Sequence, residues 1–158
     1  MYKAVIPAMV VAGATGAAML PTAAHAAGPV QFASDVFVER FQPAPGGRTA
    51  RVLERADLLR PGDRVIFVVN WKARRNSAFT VTNPMPRTIA FESTSDGAEH
   101  VSVDGGRTWG PLEALTVREA GGRQRRALPD DVTHLRWRVG APIAMLGTGK
   151  ITYRGVVR

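Results

Sequence analysis

The sequence contains no cysteine among its 158 residues. Disulfide bonds, thiol catalysis, cysteine-bound zinc and a lipid anchor on an N-terminal cysteine are therefore all excluded. Packing and hydrogen bonds must supply the stability of the fold, and a domain of this size buries about two thirds of its unfolded surface.

Histidine is also scarce, with three copies in the chain. Neither His-x-His nor H-E-x-x-H spacing occurs, and there is no G-x-S-x-G elbow or phosphate-binding loop. We therefore predict no catalytic residue, no metal site and no cofactor. His134 falls on the outward side of its predicted strand, where a solvated surface histidine is expected.

The first 26 residues have the pattern of a cleavable signal peptide. Lys3 precedes an apolar stretch over residues 4–20, and Ala24-His25-Ala26 matches the A-x-A cleavage pattern. We predict a leader helix over residues 1–26, cleavage between Ala26 and Ala27, and a mature domain over 27–158 without a transmembrane span. The expected location is the periplasm or the cell surface.

Acidic residues are fewer than basic ones, so the chain has a formal charge of +8. Lys3 is the only charged residue of the leader, so the mature part keeps +7. Such a balance favours anionic partners. The arginines are spread along predicted strands rather than gathered in one block, so we expect an anionic polysaccharide or a cell-surface protein as partner, and no nucleic acid.

Long helical periodicity is missing, and apolar residues instead alternate with period two. Arg64–Lys72 is apolar on both faces, which predicts a central strand, while Thr133–Val139 and Lys150–Arg158 alternate cleanly. About eight short strands separated by turn residues predict an immunoglobulin-like β-sandwich of about seven or eight strands, with a small β-barrel as the alternative. The positions expected to face inward are Phe79, Val81, Leu135, Trp137, Val139, Ile151, Tyr153 and Val157. On the central strand, one face holds Val65, Phe67, Val69 and Trp71.

Two blocks carry a family resemblance. Val52–Asn70 contains a Pro-Gly-Asp turn leading into a hydrophobic strand that ends in Asn-Trp, and Phe79–Pro86 contains V-T-N-P-M-P. Together they resemble the conserved-repeat domain of unknown function number eleven. The resemblance implies an immunoglobulin-like sandwich of bacterial and archaeal surface proteins, often in tandem copies, and no catalytic residue. This chain has one copy.

A further motif, S-x-D-x-G-x-T-W, spans residues 102–109 and is similar to the Asp-box of sialidases and related β-propellers. One copy cannot build a propeller, which needs at least about four blades. We therefore expect a structural turn, in which a carboxylate and glycines stabilise a hairpin. Its members are Ser102, Asp104, Gly105, Gly106, Thr108 and Trp109.

The sequence suggests two surface sites for which more than one interpretation remains. If the last two strands pair, Arg136, Arg138, Lys150 and Arg154 form one basic stripe that could bind an anion, since like charges side by side are otherwise unfavourable. Simple solvation of these charges is the alternative. Calcium near Asp96, Glu99 and Asp104 is also open, although their spacing matches no known loop.

Three functions remain compatible with the sequence. The first is a non-enzymatic, exported structural or binding module of the bacterial cell envelope. The second is a carbohydrate-binding module, suggested by the Asp-box. The third is a subunit that forms homo-oligomers by adding an extended strand, residues 27–41, to a neighbouring sheet.

Overall fold

The computed structural model describes residues 2–3, 30–55, 58–74, 77–95 and 100–158. Within these ranges the chain is mostly β-structure, with one four-residue helix, α1 (Ala141–Ala144), and 3₁₀ turns at Leu112–Ala114 and Pro129–Asp131. The strands are β1 (Tyr2–Lys3), β2 (Val30–Ala44), β3 (Arg48–Arg55), β4 (Leu58–Leu59), β5 (Arg64–Ala73), β6 (Phe79–Pro84), β7 (Ile89–Thr94), β8 (His100–Ser102), β9 (Thr116–Arg118), β10 (Gln124–Arg126), β11 (His134–Val139) and β12 (Thr148–Val157).

Two antiparallel sheets form the body of the protein. The large sheet has the order β3-β2-β5-β12-β7, the small sheet has the order β6-β11-β8, and β1-β4 and β9-β10 are separate pairs. The predicted all-β sandwich is confirmed, with β5 in the interior of its sheet as expected. The strand number exceeds seven or eight because four of the twelve strands are short segments in the two separate pairs.

The core lies between the two sheets, where the predicted inward positions are buried, except Phe79, which is partly buried against the core. Tyr153 on β12 stacks on Phe67 with ring centroids 4.6 Å apart, and lies 5.4 Å from the ring of Trp137 on the small sheet. Asn83 Nδ2 on β6 donates a hydrogen bond to Tyr153 Oη, which joins the two sheets inside the core. A large apolar side chain buried in this way contributes about 1.5–3 kcal/mol.

The first long strand is part of the protein's own sheet. Val30–Val38 pairs with β5, and Phe37–Ala44 pairs with β3. Strand addition to a neighbour through residues 27–41 remains a prediction, but most of this segment already has a partner strand within the chain.

The cleavage point at Ala26–Ala27 lies outside the described residues, and so does the predicted leader helix except for residues 2 and 3. Of residues 1–26, the structure describes residues 2 and 3, which pair with Leu58–Leu59. The leader helix and its cleavage therefore remain predictions from the sequence.

Candidate functional site

The turn after β8 is organised around the carboxylate of Asp104. Its Oδ1 accepts hydrogen bonds from the backbone N–H groups of Arg107 at 3.0 Å and Thr108 at 2.9 Å. The Thr108 hydroxyl donates to Oδ2 at 2.7 Å, and Ser102 Oγ donates to Oδ1 at 2.8 Å. The hydrogen bonds from Thr108 are the largest cause of a pKa of Asp104 well below its usual range. A carboxyl group that stays ionised in this way is a poor general acid at neutral pH.

The two glycines of the motif complete the turn. Gly105 and Gly106 have φ angles of 78° and 89°, a region that side-chain-bearing residues rarely occupy. Gly106 N–H donates to Ser102 Oγ at 2.8 Å, and Trp109 Nε1 donates to the carbonyl of Gly106 at 2.9 Å. The structure thus brings together all six residues that the motif placed in one turn.

Trp109 connects the turn to the small sheet. The guanidinium carbon of Arg136 on β11 lies 3.7 Å from the centroid of the Trp109 ring. The ring of His134 meets Trp109 edge-on, with centroids 6.3 Å apart. A cation stacked on tryptophan in this way is worth about 0.5–2 kcal/mol, depending on its exposure. The stack therefore holds the Arg136 side chain in one orientation.

Arg136 belongs to a group of basic side chains that we call the basic cluster, consisting of His100, Arg136 and Arg138. All three line a cavity of about 420 Å³ on the small sheet. Arg136 lies opposite His100 in the register of β11 and β8. Burial lowers the pKa of Arg136, and its buried Nε has no hydrogen-bond partner among the described residues.

The predicted single stripe of four cations is not formed. Arg136 and Arg138 lie on β11 in the small sheet, whereas Lys150 and Arg154 lie on β12 in the large sheet. The condition for the stripe, pairing of the last two strands, is therefore not met. Residues 140–147 connect β11 to β12 across the two layers, as connections in a sandwich commonly do, instead of forming a tight hairpin. Arg138 and Lys150 still line one common cavity at an end of the sandwich.

Ion pairs in the described residues involve five arginines and leave the others, those of the basic cluster included, without a carboxylate partner. In the part of the chain that the structure describes, the three cluster residues, Lys72 and Lys150 form no ion pair. The ion pairs that do form are Arg40–Asp63, Arg51–Glu39, Arg55–Asp35, Arg64–Glu39, Arg64–Glu92, Arg125–Glu119 and Arg125–Asp131.

The calcium hypothesis gains no support from the structure. Asp96 and Glu99 lie outside the described residues, and Asp104 is engaged in its own turn. Across the described ranges, no group of three or more histidine or carboxylate side chains could hold a metal ion.

One surface feature was missed from the sequence and is called here the apolar turn, residues 140–147. Its side chains Ile143, Met145 and Leu146 are 53%, 63% and 75% exposed. The available signal was an apolar run bounded by Gly140 and Gly147, without the alternation of a strand. The contact of Trp109 with Arg136 was also missed, because 27 positions separate them in the sequence.

No family model, no curated protein and no solved structure matches this chain. The resemblance to the conserved-repeat domain and the Asp-box therefore remains a prediction. No described helix is both long and apolar enough to cross a membrane.

Proposed function

We propose that this protein is a non-enzymatic, exported binding module of the cell envelope, and that its basic cluster binds an anionic polysaccharide. The observation that carries the proposal is that Arg136 and Arg138 line one cavity on the small sheet and have no carboxylate partner among the described residues. Like charges side by side on a sheet are unfavourable unless solvent or a ligand relieves them.

The chemistry of the cluster fits carboxylate or sulfate groups on a polymer. A guanidinium presents its N–H donors in a planar fork that matches such groups. Arg136 is held by its contact with Trp109, so less side-chain freedom is lost on binding. Arg138 is exposed beside it and available to the same polymer.

Two further observations support a binding role over a catalytic one. The carboxylate of Asp104 is engaged in hydrogen bonds within its turn, which supports a structural role for the enzyme-like motif. The leader pattern over residues 1–26 supports export, where envelope polysaccharides are accessible.

Polysaccharide-binding assays test this proposal, using protein purified from cells that express the full chain. We expect binding to an acidic polymer such as polygalacturonate, weaker binding at higher salt, and no binding to neutral dextran. Arg138→Glu should weaken binding about tenfold or more, since a hydrogen bond to a charged group is worth about 1.5–3 kcal/mol. Arg123→Glu, at an exposed turn, is the matched control. Equal losses in both variants would reduce the effect to net charge and contradict the proposal.

A further inference from the structure

The apolar turn leaves three large hydrophobic side chains in contact with solvent within four residues. Ile143, Met145 and Leu146 are each more than half exposed, and Ala144 is the one residue of α1 that is buried. Contiguous exposed apolar side chains on a soluble domain mark a place where another apolar surface binds.

A cavity lies directly beside this turn, between the ends of the two sheets. Its volume is about 270 Å³. Trp71 and Trp137 line it from the large and small sheets, and Ile143 and Leu146 line it from the turn. The apolar surface therefore continues from the exposed turn into the gap between the sheets.

Unpaired cations surround this apolar surface. Arg138 and Lys150 line the cavity itself, and Lys72 lines an adjoining depression that shares Lys150 and Trp71 with it. Among the described residues, none of these cations forms an ion pair. Apolar side chains with basic neighbours match the boundary of an anionic bilayer, where acyl chains lie beneath phosphate groups.

We propose that the apolar turn docks the protein on the surface of an anionic phospholipid bilayer. Ile143, Met145 and Leu146 enter the boundary of the acyl chains, and Arg138, Lys150 and Lys72 contact the phosphates. This attachment is additional to polysaccharide binding by the basic cluster: it shares Arg138 with that cluster but also requires the apolar turn, Lys150 and Lys72. A protein attached in this way keeps the surfaces outside the apolar turn and its neighbouring cations directed away from the bilayer.

Co-sedimentation with vesicles tests the proposal, using protein purified from cells that express the full chain. We expect binding to vesicles of mixed phosphatidylglycerol and phosphatidylcholine, and much weaker binding to pure phosphatidylcholine. The Ile143→Ser/Leu146→Ser variant should lose at least tenfold in partitioning, because two large side chains no longer leave water. Lys150→Glu should lose about fivefold or more.

Matched controls separate docking from a general attraction between a basic protein and an anionic surface. Leu128 is 54% exposed on a different loop, so Leu128→Ser and Arg123→Glu should both bind like the unmodified protein. Absence of binding to phosphatidylglycerol vesicles, or equal losses in the turn and control variants, would overturn the proposal.

The two binding proposals can be contradicted separately by experiment. Ile143→Ser/Leu146→Ser leaves all three residues of the basic cluster in place, so its binding to polygalacturonate should equal that of the unmodified protein. Thermal unfolding of each variant verifies that it is folded. If the unmodified protein binds vesicles but not polygalacturonate, the proposed function alone is contradicted. If it binds polygalacturonate but not vesicles, lipid docking alone is contradicted.

Discussion

The carboxylate of Asp104 stabilises its turn only while it is ionised. It accepts hydrogen bonds from two backbone N–H groups and from the hydroxyls of Thr108 and Ser102. These bonds favour the charged form, so the pKa of Asp104 is lower in the folded protein than in the unfolded chain, where it is about 4. The resulting stability is present above that unfolded value and is lost as the pH falls towards the lower folded value.

Replacement of Asp104 by asparagine tests this account at the level of one residue. Asparagine keeps the shape and one acceptor, but its amide nitrogen cannot accept from the Thr108 hydroxyl. We expect a lower melting temperature at neutral pH and a smaller further decrease between about pH 5 and pH 3 than in the unmodified protein. Asp130→Asn, at an exposed position, is the control. An unchanged acid dependence in Asp104→Asn would contradict the assignment.

At the level of elements, β12 is an interior strand of the large sheet that pairs with β5 on one side and β7 on the other. Its pairing with β7 shifts register between Arg154 and Gly155. A Cβ atom on Gly155 would lie 2.4 Å from Ile89 Cγ2 and 2.7 Å from the carbonyl oxygen of Ala90. Glycine usually weakens a strand, but here it permits the close approach of β7.

We expect Gly155→Ala to reduce the free energy of unfolding by about 1–3 kcal/mol, the usual cost of an overpacked site. The backbone of β7 has to move, since one of the two close atoms is a main-chain oxygen. Gly121→Ala is the control, because nothing lies within 4 Å of its added methyl group and its stability should change by less than about 1 kcal/mol. Urea titrations in which both variants unfold at the same midpoint would refute the packing argument.

At the level of the whole molecule, Tyr153 joins the two layers of the sandwich. Its ring packs between Phe67 of the large sheet and Trp137 of the small sheet, and its hydroxyl accepts from the side chain of Asn83. Burial raises the pKa of Tyr153. The hydroxyl therefore stays neutral at ordinary pH and can remain in the core.

Tyr153→Phe removes this hydroxyl and leaves the amide of Asn83 buried without its partner. We expect a loss of about 1–3 kcal/mol in the free energy of unfolding, the cost of an unsatisfied buried polar group. The double variant Asn83→Leu/Tyr153→Phe removes both polar groups and should recover part of that loss. If the double variant loses the sum of the two single effects, the hydrogen bond contributes nothing to the joining of the sheets.

Much of the fold was predictable from period-two alternation, because alternation determines which face of a strand each side chain occupies. Val65, Phe67 and Tyr153 are buried as that pattern indicates. The apolar character of both faces also indicated that β5 is an interior strand. The turn at 102–109 was predictable for a related reason, since the hydrogen bonds within the motif join residues at most four positions apart. Its hydrogen bonds to Thr133 were not predictable in this way.

The pairing of the strands could not be predicted in the same way. Alternation describes one strand at a time and contains no information on which other strand lies beside it. The separation of β11 from β12 was missed for this reason, and with it the division of the four predicted cations between two sheets.

By itself the sequence therefore determined the all-β class, the inward faces and the local turn, because each depends on neighbours along the chain. Only the tertiary structure decided which cations share a surface, that Trp109 stacks on Arg136, and that the apolar turn is exposed beside a cavity. These features join residues that are distant in sequence, and packing of the two sheets is what brings them together or leaves them uncovered.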